Sequence, residues 1–118
     1  MIDVKKDDRG ELFEVFKFPN DGQIFCVRVL EHETRGEHYH THKVEKFCVI
    51  DGAATIALRK RGSDKVKEID VDGKHPQIVD IPINTVHHIY ALAGGCVLLV
   101  WSNEVFDEKD PDTYKELV

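Results

Sequence analysis

The sequence predicts an all-β fold, a sandwich or barrel, on three observations. Helix-period patterns are scarce, short alternating or wholly apolar runs recur throughout, and clusters of Gly, Pro, Asn or Asp bound them. Nine strands follow in order, over residues 12–18, 23–30, 38–42, 44–50, 54–60, 66–71, 77–81, 86–92 and 96–103. Turns fall at Asn20-Asp21-Gly22, Asp51-Gly52, Arg61-Gly62-Ser63-Asp64, Asp72-Gly73 and Gly94-Gly95. These residues reverse a chain cheaply because they tolerate positive φ or bond their own backbone. The last stretch, 107–118, is acidic and polar with Pro111 as a stop, and reads as a tail packed over a single domain spanning 1–118.

Composition narrows the function. A chain of 118 residues, 42% hydrophobic and 32% charged, has enough apolar content for one core and too much for disorder. Its longest apolar run, 96–101, is far short of the ~20 residues a membrane helix needs. The first eight residues lack an apolar signal region, so the expectation is a cytoplasmic protein with no membrane partner. A net charge of −6 argues against nucleic acid, whose phosphates need a basic face. Cys26, Cys48 and Cys96 are odd in number and sit in apolar runs, as reduced core thiols do. There is no G-x-G-x-x-G and no phosphate-binding P-loop, so no cradle for a dinucleotide or triphosphate. Neither serine, Ser63 or Ser102, sits in a nucleophile elbow.

Histidine is what composition leaves to explain. Seven occur, with His32, His38, His40 and His42 inside eleven residues and His87-His88 adjacent. Side chains alternate along a strand, so His38 and His40 project to one side about 7 Å apart at Cα. A bend near 41–43 then separates this pair from Glu45. One of His87 and His88, but not both, can join them, because strand neighbours face opposite ways. Imidazoles with one carboxylate suit Zn, Fe, Mn, Co or Ni. His32 and His75, in polar surroundings without a strand partner, read as bystanders.

Here the residues carry a family resemblance. The segment from Gly36 through His38, His40 and Glu45 to Gly52 resembles the first cupin motif, H-x-H-x4-E-x6-G, and Pro82-Ile83-Asn84-Thr85-Val86-His87 resembles the second, P-x-G-x2-H. The resemblance implies a cupin double-stranded β-helix, or jelly-roll barrel, and selects His87 with His38, His40 and Glu45 as ligands of a divalent metal, zinc foremost. Three departures stand out: His32 replaces a glycine, Asn84 replaces the turn glycine, and Ala91 replaces an asparagine. Asn84 is mild, since asparagine tolerates the left-handed conformation.

A closer resemblance covers nearly the whole chain. Asp8-Arg9-Gly10, 36–47, Val79-Asp80-Ile81-Pro82, Trp101-Ser102-Asn103-Glu104-Val105-Phe106-Asp107 and Pro111-Asp112-Thr113-Tyr114 are similar to the C-terminal cupin domain of the CapF-type capsular-polysaccharide enzymes. In that family a zinc cupin domain epimerises C3 of a UDP-linked 2-acetamido-2,6-dideoxy-4-ketohexose, and a separate domain reduces C4 with NADPH. The resemblance therefore implies the epimerase half, a likeness to homodimeric cupins, and a separate NADPH-dependent reductase. The tail is its most specific part, because metal binding by itself does not call for N-E-x-F-D and P-D-T-Y.

The implied reaction sets further candidates. A 4-keto group acidifies the C3 hydrogen, and a Lewis acid lowers the barrier to the enolate. Acid/base candidates are His42, His88, Tyr39, Tyr90 and Lys46; diphosphate candidates are Arg9, Arg28, Arg35 and Arg59, whose guanidinium forks match phosphate oxygens. Two alternatives stand beside this reading. Arg35-Gly36-Glu37-His38-Tyr39-His40 also resembles the metal-independent sugar-nucleotide 3,4-ketoisomerases, although those have glutamine near the position of Glu45. The other is a non-catalytic, metal-stabilised module for dimerisation or sugar-nucleotide binding.

Overall fold

The computed structural model describes residues 2–18 and 21–118. Asn20, in the first expected turn, lies outside these residues. They form β1 (Val4–Asp7), β2 (Gly10–Phe18), β3 (Gly22–Val29), β4 (Thr34–Tyr39), β5 (Glu45–Lys60), β6 (Val66–Asp72), β7 (Val79–Ile81), β8 (Thr85–Ser102) and β9 (Tyr114–Lys115). The path β1-β2-β3-β8-β4-β9 is antiparallel throughout, and β5 branches from it to pair with β6, β7 and β8. No helix is long and apolar enough to cross a membrane among the described residues.

Strand β8 organises the molecule. Its 96–102 half lies between β3 and β5, and its 85–90 half runs between β4 and β5. The alternating faces of these strands enclose one core that includes Val27, Val29, Phe47, Val49, Ile56, Ile81, Ile89 and Leu98. Burying each such side chain stabilises the fold by about 1.5–3 kcal/mol relative to exposure. Cys26 and Cys96 are buried and Cys48 half-buried, all as free thiols.

Two expected hairpins are absent, for a local reason. Segments 44–50 and 54–60 are one bent strand, as are 86–92 and 96–103, because β5 and β8 keep pairing through their glycines. Gly52 opposes Cys96 while Ala54 opposes Ala91, so residues 92–95 bulge opposite residue 53 alone. Bulges of this kind bend a strand without ending it. Gly52 has φ +76°, and a Cβ there would stand 2.2 Å from the Gly95 carbonyl oxygen. The short β1 and β9 escape sequence reading because β1 is exposed throughout, giving no alternation, and β9 has two residues.

A methyl group at Gly52 therefore meets backbone in a conformation that side chains rarely adopt. Gly52→Ala is expected to lower stability by about 2–4 kcal/mol, measured by urea denaturation. An unchanged midpoint contradicts the close approach of β5 and β8.

Candidate metal centre

Local backbone features bring the histidines together. In β4, Gly36 opposes His88 and His38 opposes His87, leaving Glu37 as the extra residue of a bulge at φ 59°. This shift puts His38 directly across from His87, on the same face. The close passage of β4 over β8 depends on Gly36, where a Cβ would lie 2.8 Å from the His87 carbonyl oxygen. β4 ends at Tyr39, so His40 lies just beyond the strand instead of within the expected 38–42 run. Its carbonyl accepts the Asn84 N–H at 2.7 Å, and Asn84 takes the left-handed conformation at φ 55°. His32, which stands where the motif has glycine, is also left-handed at φ 63°.

The bend expected at 41–43 exists and is stitched from far along the chain. The Asp112 carboxylate accepts the N–H groups of Thr41, His42 and Lys43 at 2.8, 2.9 and 2.8 Å and the Thr41 hydroxyl at 2.6 Å. Burial acts against this carboxylate, yet the four donors hold its pKa well below the usual range.

At the floor of a cavity of about 960 Å³, one donor atom from each of His38, His40, Glu45 and His87 lies within 4.8 Å of the others. The ring centroids are 4.9 Å apart for His38–His40, 4.6 Å for His38–His87 and 5.3 Å for His40–His87. Phe47 closes the floor edge-on to His87 at 5.7 Å.

The hydrogen bonds assign the tautomers. A carbonyl oxygen only accepts, so His40 Nδ1–H donates to Asp112 O at 2.7 Å and His87 Nδ1–H to Thr85 O at 3.0 Å. Both Nε2 lone pairs then face the cluster. His40 Nε2 is 2.9 Å and His87 Nε2 3.5 Å from the same oxygen of Glu45, and buried His87 Nε2 has no hydrogen-bond partner. His40 Nε2 meets Glu45 through a shared proton or a bound cation, while the orphaned, buried His87 Nε2 is costly unless a cation takes its lone pair. Burial, reinforced by His87 and His40, pushes the His38 pKa down to about 3, keeping that ring neutral and able to ligate. Three imidazoles and a carboxylate fit a divalent metal.

The other expected site residues divide by position. Arg9 and Arg35 line the cavity. Arg9 is bound to Asp7 at 2.6 Å, whereas the half-buried Arg35 side chain has only that carboxylate, at 3.6 Å, and no side-chain hydrogen bond among the described residues. Arg28 and Arg59 lie elsewhere: Arg28 pairs with Glu11 at 3.3 Å over the Phe13 ring, and Arg59 is tied to Glu116 and the Leu117 carbonyl, each at 2.6 Å.

None of the five acid/base candidates lines the cavity. His42 is outside, between Glu104 at 2.8 Å and Asp110 at 3.2 Å. Lys46 is exposed on Asp80 at 2.5 Å, because a strand neighbour of Glu45 points the opposite way. Tyr39 stacks on Tyr114 at 5.3 Å beneath Arg61, and Tyr90 holds His32 at 3.1 Å. His88 faces away from His87, beside Glu37 at 3.2 Å.

Sequence reasoning passed over two cavity groups, Lys43 and Glu37. Lys43 is buried, with Nζ 3.3 Å from the Pro111 carbonyl oxygen, 5.6 Å from the Phe106 ring, and no carboxylate in ion-pair range among the described residues. Its place between the two halves of the histidine motif was the available signal.

Comparisons with known proteins agree with this fold. Residues 5–114 match the family described as Polysaccharide biosynthesis C-terminal domain. A UDP-2-acetamido-2,6-beta-L-arabino-hexul-4-ose reductase from Pseudomonas aeruginosa is 35% identical over 114 residues, 96% of this chain and 31% of that protein. The crystal structure of the capsular polysaccharide assembling protein CapF from Staphylococcus aureus superposes with a TM-score of 0.97 at 36% identity, over 100% of this chain and 32% of that one. An oxalate decarboxylase from Bacillus subtilis shares the fold, with a TM-score of 0.79 at 21% identity over 97% of this chain and 30% of that one. The chain thus spans about a third of the length of these relatives.

Purified protein is expected to hold one divalent ion per chain by elemental analysis, and His87→Ala to weaken uptake at least ~10-fold; equal uptake by the variant contradicts the centre. For chelator-treated protein, the depressed His38 fixes a pH dependence. An unfolded histidine titrates near 6.5, so between there and the folded value of about 3 the unfolded chain holds the extra proton. Stability falls as pH is lowered through that window, by up to ~1.4 kcal/mol per unit. His38→Gln should flatten the slope between about pH 6.5 and 5, and an identical slope in both proteins contradicts the assignment.

Proposed function

The chain belongs to the polysaccharide biosynthesis C-terminal domain family, and from that premise we propose that it epimerises C3 of a UDP-linked 2-acetamido-2,6-dideoxy-4-ketohexose in a metal-dependent reaction. The observation that carries the reading is the convergence of His38, His40, Glu45 and His87 on the floor of a cavity with Arg35 in its wall. Relatives with UDP-sugar and capsular-polysaccharide names support the substrate class. Zinc is the ion we assign; it would be held by the nitrogen and oxygen donors of His38, His40, Glu45 and His87. The proposal includes a separate NADPH-dependent reductase for C4, in keeping with the UDP-sugar reductase among the relatives. Pairing of two chains and a cytoplasmic setting complete it.

When bound, the ion supplies Lewis-acid polarisation of the C4 ketone. The chain's own residues do the rest. Arg35 takes the anionic diphosphate, exchanging a distant carboxylate for bidentate oxygen acceptors. The apolar wall of Phe47, Ile89, Leu98 and Val100 excludes water, which strengthens each charge interaction inside. Inversion needs proton removal from one face and delivery to the other. We assign these to the cavity-lining Glu37 and Lys43: the carboxylate, on release of the Val118 N–H that it accepts at 3.0 Å, takes the C3 proton, the ammonium returns one to the opposite face, and solvent resets both. No redox equivalent is consumed.

The test is incubation with the 4-keto sugar nucleotide in deuterated water, followed by NMR. Deuterium entry at C3 with inversion, lost on chelation and restored by zinc, is expected. Lys43→Met and Glu37→Gln should each slow exchange ~10²–10⁴-fold, and Arg35→Ala should raise KM more than it lowers kcat. Movement of the ketone to C3 supports a ketoisomerase instead, and binding of substrate and metal without exchange supports a binding module.

A further inference from the structure

The 107–118 segment, whose sequence has no evident link to metal binding, is joined to the ligand set through one residue. Asp112 is 2% exposed and adopts the left-handed conformation at φ 50°, which few non-glycine residues do. That conformation turns its two acceptor groups onto one target. The backbone carbonyl accepts His40 Nδ1–H at 2.7 Å, and the carboxylate gathers the N–H groups of Thr41, His42 and Lys43 between His40 and Glu45. Both ends of the ligand-bearing bend are thereby fixed from a position 72 residues away from His40. Flanking contacts seat the same segment. Lys43 Nζ donates to the Pro111 carbonyl, Phe106 N–H donates to the buried Gln23 side chain, and Glu116 N–H donates to the Glu37 carbonyl at 3.0 Å.

We propose that Asp112 is the positioning residue of the metal centre, holding His40 in its Nδ1–H tautomer so that metal binding and docking of the 107–118 segment are one coupled equilibrium. With the segment docked, His40 Nε2 presents a fixed lone pair beside Glu45. With it released, the ring loses its tautomer lock, and three successive backbone N–H groups lose their acceptor. Coupling is reciprocal, so whatever docking adds to metal affinity the metal adds to docking. The inference rests on the metal centre and not on the reaction proposed for it.

The experiment measures zinc affinity by chelator competition and tryptic cleavage after Lys109, in the exposed part of the segment. Asp112→Ala and Asp112→Asn are compared with wild type. Each substitution should weaken zinc binding by ~10–100-fold. In wild type, saturating zinc should slow cleavage after Lys109, and in Asp112→Ala that protection should be lost. The nitrogen-15 shifts of His40 supply a readout that a purely structural role does not move, with the Nδ1–H pattern in metal-free wild type giving way to a tautomer mixture in the variant. A lower unfolding midpoint with wild-type zinc affinity overturns the positioning role, as does cleavage after Lys109 indifferent to zinc. Should Asp112→Ala fail to fold, Asp112→Asn and the wild-type cleavage comparison still decide the question. Absence of zinc uptake by wild type overturns the metal centre and this inference together, whereas uptake unchanged by both substitutions overturns the inference alone.

Discussion

Two imidazole lone pairs and a carboxylate oxygen, buried and aimed at one another, are the constraint around which this molecule is arranged. His40 Nε2 and His87 Nε2 both face Glu45, at 2.9 and 3.5 Å. In an apolar interior such a grouping is repulsive unless positive charge lies within it. Each Nδ1 is committed to a carbonyl, and burial keeps His38 neutral. The bulge at Glu37, the approach of β4 to β8 at Gly36 and the anchoring of 41–43 by Asp112 all serve to hold donors in this arrangement.

The long strands supply the rigidity that this arrangement needs. β5 and β8 pair nearly end to end and contribute Glu45 and His87. His38 comes from β4, which β8 also pairs, so two ligands sit at a single point of register, His38 opposite His87. His40 alone lies outside a strand. It is also the ligand with the greatest help from elsewhere, through Asn84 on its carbonyl and Asp112 on its ring. A ligand on a loop requires such support, because the outer partners of a metal-binding histidine fix its tautomer and orientation.

Much of this was legible in the residues. The period-2 runs gave the β class, and the spacing of His38, His40 and Glu45 gave the cluster, with the parity change at 41–43 marking the bend. Strand alternation reduced His87 and His88 to one inward residue without saying which; the motif resemblance chose His87. What stayed hidden depends on long-range contacts. Asp51-Gly52 and Gly94-Gly95 have the composition of turns, yet they lie within continuous strands, Gly52 against the Gly95 carbonyl and Gly95 against the backbone of Val29 and Leu30. Lys46 and Lys43 are chemically alike in sequence, and only their position relative to Glu45 and the bend sends one to solvent and buries the other beneath Phe106. Asp112 looked like one more acid in an acidic tail, and its partners lie about seventy residues away.

The account stands on the four side chains holding a single divalent ion, and X-ray absorption at the zinc edge of the loaded protein tests this most directly. It predicts an inner shell of nitrogen and oxygen only, with outer-shell scattering from three imidazoles, reduced to two in His87→Ala. A shell containing sulfur, or one without imidazole scattering, contradicts it.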